Sequence, residues 1–264
     1  MVRHLVDFFA RRAVPGVEEV AAGAYRRSLA LGHGDGVVEV RPGASTDFTL
    51  DDERDRPEAE QRIRDLFDLE TDTAPIAAAL RDDPLIGALV RAAPDRRVPG
   101  VADGSELAVR AVLGQQVSLA GAATLAGRLV AAHGRPLVRP VGAVTHVFPE
   151  ASVLAAADPS GWAMPRTRAR ALQAVCAAGL PLHPGADRDA VRRELLALPG
   201  IGPWTTEYVA MRALRDPDAF LSTDLGVRHA LERLGRDPDE AVALAEPWRP
   251  FRAYALQHLW ASLG

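Results

Sequence analysis

The residues best suited to chemistry lie between positions 195 and 228. Gly200 and Gly202 stand in the segment Leu198-Pro-Gly-Ile-Gly-Pro203, and Asp224 follows about twenty residues later at the end of a Pro-containing loop. Paired glycines let the backbone turn sharply, and exposed N–H groups beside a helix start favour an anion. A carboxylate can stabilise positive charge that develops in a reaction. The pattern therefore indicates a candidate anion-binding turn and, about twenty residues later, a carboxylate at a helix start.

Each of these features also has a plainer interpretation. The glycine pair begins a GxGxxG dinucleotide-binding pattern, but Thr205 replaces its third glycine and residues 187–198 have the periodicity of a helix, not of the strand this pattern requires. The segment 187–214 is then either a phosphate-binding helix-hairpin-helix or an ordinary tight corner between helices. Asp224 taken alone is typical of a helix N-cap.

The residue types that are missing exclude several kinds of site. All 31 basic residues are arginine, so a lysine Schiff base, a pyridoxal phosphate lysine and a Walker A lysine are excluded. The single cysteine, Cys176, lies in an apolar run and is predicted to be a small core residue. The seven histidines show no HExxH or paired spacing, so no catalytic metal is expected.

Composition predicts a globular protein with a weakly acidic charge balance. The 264 residues are 48% hydrophobic and carry a formal net charge of -4, and no apolar run is long enough for a membrane span. Residues 1–100 hold 14 arginines against 19 acidic residues, whereas residues 101–264 hold 17 against 16. The second stretch is the better candidate for binding a polyanion. No secretory signal is visible, so a cytoplasmic, nucleoid-associated location is expected.

Hydrophobic periodicity divides the chain into two parts. Residues 1–73 predict a small α+β domain with an antiparallel sheet, and residues 74–264 a mainly all-α region. Within that region the segment 134–149, rich in proline and glycine, is predicted to be a loop. The predicted strands are 24–31, 36–41 and 46–50, and the predicted helices are 3–12, 56–67, 75–81, 84–92, 105–116, 119–133, 151–157, 167–179, 187–197, 203–214, 225–234, 239–245 and 250–262.

The hairpin followed by Asp224 resembles the signature of the helix-hairpin-helix DNA glycosylase superfamily. Other segments, spread over nearly the whole chain, resemble the bacterial 3-methyladenine DNA glycosylase II family. The resemblance implies an N-terminal sheet domain and a helix-hairpin-helix core of two subdomains, with Asp224 on the floor of the cleft between them. The segments are Ala13–Glu18, Tyr25–Ser28, Ala111–Ser118, Pro247–Ala255 and His258–Trp260.

The resemblance also implies an activity. A monomeric enzyme would bind double-stranded DNA and excise alkylated purines flipped out of the helix, with Asp224 stabilising positive charge on the sugar. Trp204 occupies the position of the catalytic lysine of lyase-competent relatives, which implies a monofunctional enzyme. The alternatives are a noncatalytic module that binds bent or damaged DNA and an oxidised-purine glycosylase.

Further residues receive roles from the same resemblance. Gln116 would fill the gap left by the flipped base, although an exposed helix end is the plainer interpretation. The aromatic residues would line the base pocket, although any one of them alone predicts core packing. The implied base-binding residues are Phe8, Trp204, Tyr208 and Trp260, and the implied DNA-contacting residues of the hairpin are Gly200, Ile201 and Gly202.

No cofactor is implied as a requirement for the reaction. A structural monovalent cation is implied at the hairpin, held by the backbone carbonyls of Leu196, Leu198 and Ile201.

The cluster 166–170, with arginine at positions 166, 168 and 170, is either a phosphate contact or a solvated helix start.

Overall fold

An antiparallel sheet forms the N-terminal part of the chain in a computed structural model that describes residues 3–43 and 45–264. Four strands pair in chain order within these residues, so strands that follow one another in the sequence are neighbours in the sheet. The α+β class is confirmed, with one strand more than the three predicted. The elements are α1 (Arg3–Ala10), β1 (Glu18–Ala21), β2 (Ala24–Ala30), β3 (Asp35–Val40), β4 (Thr46–Leu50) and α2 (Arg56–Leu66).

The unpredicted strand β1 is short and carries two glutamates, which gives it no strand periodicity. Glu18 is nevertheless buried, because the Tyr25 hydroxyl donates a 2.6 Å hydrogen bond to it and the Arg110 guanidinium lies 2.9 Å away. Arg27 likewise contacts Glu106 of the helical region at 2.7 Å. Burial disfavours the charged forms of both side chains, but the attraction between their opposite charges is the larger effect. The pKa of Arg27 is therefore raised and that of Glu106 is lowered. This buried network ties the sheet to the helices.

The rest of the chain is mainly helical, as predicted. Polar N-caps begin several helices; for example, Asp103 and Ser118 accept hydrogen bonds from the N–H groups of Glu106 and Gly121. The described residues contain eleven helices in this part: α3 (Ala74–Leu80), α4 (Gly87–Ala92), α5 (Gly104–Leu113), α6 (Leu119–His133), α7 (Ala151–Ala156), α8 (Arg166–Ala177), α9 (Arg188–Ala197), α10 (Pro203–Arg212), α11 (Leu225–Arg233), α12 (Ala241–Ala245) and α13 (Arg252–Ala261).

The prediction of a loop over 134–149 is wrong, because this segment forms a two-stranded β-hairpin. The first strand was not predicted because it contains Pro136 and Pro140, and proline has no N–H to donate to the hydrogen bonds between strands and is rare in sheets. The hairpin is tied to the N-terminal sheet by a 2.6 Å ion pair between Arg135 and Asp35. Its strands are β5 (Arg135–Val141) and β6 (Val144–Val147).

Two hydrophobic clusters stabilise the fold. One lies between the sheet and α1 and α2, and the other joins the helices. Cys176 belongs to this second cluster, which confirms the prediction of a small core residue, and burial raises the pKa of its thiol to about 11. The domain boundary predicted at residue 73 stays a prediction. None of the helices within residues 3–43 and 45–264 has the length and hydropathy that crossing a membrane requires.

Candidate active site

The turn between α9 and α10 presents the two glycines differently. Gly200 has a φ of +77°, which favours glycine, and a Cβ added there would lie 2.8 Å from the Cβ of Ala171. Gly202 caps α10 with a φ of -110°, and no atom lies within 4 Å of where its Cβ would stand. The fold therefore requires glycine at position 200, whereas Gly202 leaves the backbone open to a close approach from outside.

Ile201 anchors this turn from within. Its side chain is buried, and its N–H donates a 3.2 Å hydrogen bond to the carbonyl of Leu198. The first N–H groups of α10 have no acceptor inside the helix, so the positive end of its dipole lies at the hairpin. An anion such as a phosphate is the ligand that suits this end of α10.

The carbonyls implied as cation ligands lie at the end of α9, for Leu196, and in the turn that follows, for Leu198 and Ile201. The Leu198 carbonyl already accepts the Ile201 N–H, and a carbonyl oxygen has a second lone pair for another ligand. In the described part of the chain, no group of three or more His, Cys, Asp or Glu side chains could hold a metal ion. A cation here would therefore depend on backbone oxygens, and it stays a prediction.

Asp224 is both a helix cap and a cleft residue. It precedes α11, and its Oδ1 accepts a 3.0 Å hydrogen bond from the N–H of Val227. Two indoles complete its surroundings: Trp260 Nε1 donates to Oδ1 at 2.8 Å and Trp204 Nε1 donates to Oδ2 at 2.8 Å. All three partners are donors, which suits an ionised carboxylate. The cap interpretation and the site interpretation therefore describe one residue in two roles.

Gly226 makes room for this arrangement, and the sequence analysis missed it. A Cβ at this position would stand 3.0 Å from Asp224 Oδ1 and 3.0 Å from the indole of Trp260. Such separations are tighter than most carbon contacts, so a larger residue would require the indole or the carboxylate to shift by a few tenths of an ångström. The only signal in the sequence is a glycine in the first turn of a helix, where glycine is a poor helix former.

The four predicted aromatic residues form two stacked pairs. The rings of Trp204 and Tyr208 lie 5.2 Å apart with an interplanar angle of 8°, and those of Phe8 and Trp260 lie 6.4 Å apart at 22°. Through these pairs α1, α10 and α13 contribute to one cleft. Its aromatic faces offer stacking surfaces for a planar, electron-poor ligand.

Two arginines beside these rings were not predicted. Arg212 donates to the Tyr208 hydroxyl at 2.6 Å, and its other nitrogens donate to the carbonyls of Pro99 and Gly100. The Arg12 guanidinium lies 3.7 Å from the centre of the Phe8 ring, and burial lowers its pKa to about 10. The chain contains 31 arginines, and no local pattern in the sequence distinguishes Arg12 and Arg212 from the others.

Gln116 lies at the lip of the cleft, between α5 and α6. It is exposed and has a φ of +56°, a conformation that a residue with a side chain rarely adopts. The neighbouring Gln115 holds this loop in place, because its amide donates to the Gly200 carbonyl at 3.1 Å and to Thr205 at 3.0 Å. Arg168, from the predicted arginine cluster, donates to the Gln115 carbonyl at 2.6 Å. The structure thus ties the loop of Gln116 to the hairpin.

One cleft of about 1480 Å³ brings most of the predicted residues together. Leu196, Leu198 and Ile201 are not among its lining residues and belong to the body of the hairpin. The predicted residues that line the cleft are Phe8, Gln116, Gly200, Gly202, Trp204, Tyr208, Asp224 and Trp260.

A second depression, of about 780 Å³, is lined in part by Arg192 of α9 and Glu207 of α10. Its charged residues pair with one another: Arg192 lies 2.5 Å from Asp216, and Arg252 lies 2.8 Å from Asp218. It contains none of the predicted site residues, and the larger cleft is the better candidate for the active site.

Sequence comparison relates the whole chain to known DNA repair proteins. The family model of the AlkA N-terminal domain matches residues 1–103. The chain is 48% identical to the probable bifunctional transcriptional activator/DNA repair enzyme AlkA of Mycobacterium tuberculosis, over 96% of this chain and 53% of that protein. It is 35% identical to DNA-3-methyladenine glycosylase 2 of Escherichia coli, over 98% of this chain and 93% of that protein. The chain therefore spans about half the length of the mycobacterial relative and nearly all of the other.

Comparison with solved structures supports the same fold. The 3-methyladenine DNA glycosylase of Archaeoglobus fulgidus superposes with a TM-score of 0.82 over 98% of this chain and 94% of that one, at 20% identity. At that identity the likeness concerns the fold alone, and the sequence relationships carry the assignment. The chain belongs to the AlkA family of DNA-3-methyladenine glycosylases.

Proposed function

We propose that this protein is a monofunctional DNA glycosylase that excises alkylated purines of the 3-methyladenine type from double-stranded DNA. The observation that carries the proposal is the Asp224 carboxylate, held by three N–H donors in a cleft walled by aromatic rings. Family membership supports the same reaction class.

Asp224 acts on the sugar. Breaking the bond between C1′ and the base nitrogen gives the sugar oxocarbenium character, and a fixed anion binds this state more tightly than the ground state. The donors on both carboxylate oxygens keep the anion in one orientation, so little reorganisation is needed during the reaction. Water then adds at C1′, and the reaction requires no cofactor.

The aromatic residues receive the flipped base. Trp204 and Tyr208 offer one flat face, and Phe8 and Trp260 contribute the other pair of rings. A purine that carries positive charge after N-alkylation gains cation–π attraction of about 0.5–2 kcal/mol from such faces. The pocket therefore suits alkylated purines.

The hairpin and the loop of Gln116 bind the DNA around the flipped nucleotide. The open backbone at Gly202, with the helix dipole of α10 behind it, is suited to one phosphate. Gln116, exposed at the cleft lip, fills the gap left in the base stack. Gly200 and Ile201 shape the turn, and the cation held by carbonyls at Leu196, Leu198 and Ile201 would add charge beside the phosphate.

Base release without strand cleavage is expected because the chain has no lysine to form a Schiff base with the opened sugar. Trp204 stands at the start of α10 where that nucleophile would be needed, and it contacts Asp224 instead. We further propose that the protein acts as a monomer in the cytoplasm.

The test is incubation with methylated duplex DNA, followed by chromatography of the released bases and gel analysis of the strand. We expect free 3-methyladenine, an intact strand with an abasic site, and no covalent adduct after borohydride treatment. Tight binding of damaged DNA with no released base would favour the noncatalytic module. Strand nicking and trapping that survive blocking of the N-terminal amine would favour a glycosylase with lyase activity.

A further inference from the structure

The positive charge on one side of the cleft is not used by the reaction described above. Arg212 is 7% exposed, and its guanidinium donates hydrogen bonds to the carbonyls of Pro99 (2.9 Å) and Gly100 (2.7 Å) and to the Tyr208 hydroxyl (2.6 Å). Within residues 3–43 and 45–264, neither Arg212 nor Arg12 forms an ion pair with a carboxylate. A buried guanidinium without a counter-ion makes its surroundings electropositive.

The stacked pair connects this charge to the carboxylate. Trp204 donates to Asp224 at 2.8 Å, Tyr208 lies 5.2 Å from Trp204 between ring centres, and Arg212 contacts the Tyr208 hydroxyl. The aromatic wall therefore has an anion at one edge and a cation at the other. A base stacked along this wall with its sugar at Asp224 has its far edge toward Tyr208 and Arg212.

Tyr208 lies between Arg212 and the proposed position of the base, so the charge of Arg212 can act on the base through the Tyr208 hydroxyl. Its oxygen accepts a hydrogen bond from the guanidinium, so its own proton remains available for an acceptor on the base. Burial opposes ionisation of this phenol, but the charges of Arg212 and Arg12 outweigh burial and lower the pKa of Tyr208. A more acidic phenol is a stronger hydrogen-bond donor.

We propose that Arg212, acting through Tyr208, is a positioning residue that stabilises the electron pair arriving on the leaving base. The proposal rests on the proposed function. When the bond between C1′ and nitrogen breaks, both bonding electrons leave with the base nitrogen, and positive charge stays on C1′ and the ring oxygen. Water adds to C1′ and loses a proton to solvent. Negative charge thus moves toward the cation while positive charge develops beside Asp224.

Cationic and neutral bases differ in how much a hydrogen-bond donor on the leaving base should accelerate their release. A cationic base such as 7-methylguanine leaves as a neutral molecule, whereas a neutral base such as hypoxanthine leaves with negative charge. A donor aimed at the base therefore matters more for the neutral base, because charge develops there only in the transition state. A purely structural Arg212 would affect both bases alike.

The experiment measures single-turnover release of hypoxanthine and of 7-methylguanine from matched duplexes. Tyr208→Phe keeps the stacked ring and the backbone contacts of Arg212 and removes only the hydroxyl. Arg212→Met removes the charge, and Arg212→Lys tests whether a cation alone restores it. Affinity for abasic-site DNA, measured for each variant, reports whether the DNA surface is intact.

We expect Tyr208→Phe to slow hypoxanthine release by about 10²-fold, the usual effect of losing one preorganised donor, and 7-methylguanine release by less than about tenfold. Arg212→Met should likewise slow hypoxanthine release more than 7-methylguanine release, and Arg212→Lys should recover part of the lost rate of hypoxanthine release. Equal losses for both bases in Tyr208→Phe would overturn the proposal, as would a parent protein that releases 7-methylguanine but no hypoxanthine. A parent that releases 3-methyladenine but neither of these two bases would also overturn the proposal. A parent that releases none of the three bases would instead overturn the proposed function, on which this inference rests.

Discussion

The indole N–H of Trp204 donates a 2.8 Å hydrogen bond to Oδ2 of Asp224. The two residues stand at the starts of α10 and α11, so the bond joins the hairpin proposed to bind DNA to the candidate catalytic carboxylate. In the proposed complex, this bond would hold a DNA backbone bound to the hairpin at a fixed distance from the carboxylate.

Replacing Trp204 with phenylalanine should slow base release by about tenfold or more, since a hydrogen bond to a charged group contributes about 1.5–3 kcal/mol. The ring that stacks on Tyr208 is kept, while the donor to Asp224 is lost. Single-turnover excision from methylated DNA measures the effect. Affinity for abasic-site DNA serves as the control and should change little; an unchanged excision rate would show that the bond does not position the carboxylate.

Gly202→Ala should weaken binding to undamaged and damaged duplex DNA by the same factor, about tenfold, because the added carbon obstructs a phosphate. The fold should tolerate this change, since the added Cβ meets no protein atom within 4 Å. Binding titrations on both duplexes, with urea unfolding as the check on the fold, measure it.

The matched variant is Gly200→Ala. It should lower the free energy of unfolding, because its φ is +77° and the new carbon would lie 2.8 Å from Ala171. If Gly202→Ala bound both duplexes as tightly as the parent protein, the hairpin would be a structural corner and not a DNA contact.

His258 should make stability fall in mild acid. It is buried, its Nδ1 has no hydrogen-bond partner among the described residues, and burial with the nearby charge of Arg96 lowers its pKa to about 4. The unfolded chain, with a pKa of about 6.5, binds the proton first, so stability is complete above that pH and is lost as the pH falls toward 4.

From about pH 7.5 to about pH 5 this one group should cost about 2 kcal/mol of unfolding free energy. Urea unfolding of the parent and of His258→Leu at both pH values isolates the contribution, which the variant should lack. The same pH slope in both proteins would assign the loss to other groups.

The sequence predicted much of the helical framework and several of the residues that line the cleft. Asp224 and the glycines of the hairpin were predicted from local motifs, whereas the four aromatic residues were implied by the family resemblance. The buried sheet strand at Glu18 and the hairpin containing Pro136 were missed, because their local patterns oppose strands and only packing against distant residues stabilises them.

Contacts between distant residues could not be predicted either. Arg212 reaches carbonyls 112 and 113 positions away, and Gln115 reaches Gly200 across 85 positions. No local pattern records such a pairing. The residue types at the site were therefore predictable, whereas the partners that orient them were not.

The most direct test of the account is base release by Asp224→Asn. Asparagine can still cap α11, but its amide would face a tryptophan N–H donor, because donors occupy both oxygens of Asp224. The substitution should therefore be compared in two backgrounds, the parent and Trp204→Phe, where the donor facing Oδ2 is absent. In both, single-turnover excision of 3-methyladenine should fall by about 10²–10³-fold or more, while the fold and affinity for abasic-site DNA stay close to the matched background. Excision within a few-fold of the matched background would contradict the account and leave Asp224 as a helix cap.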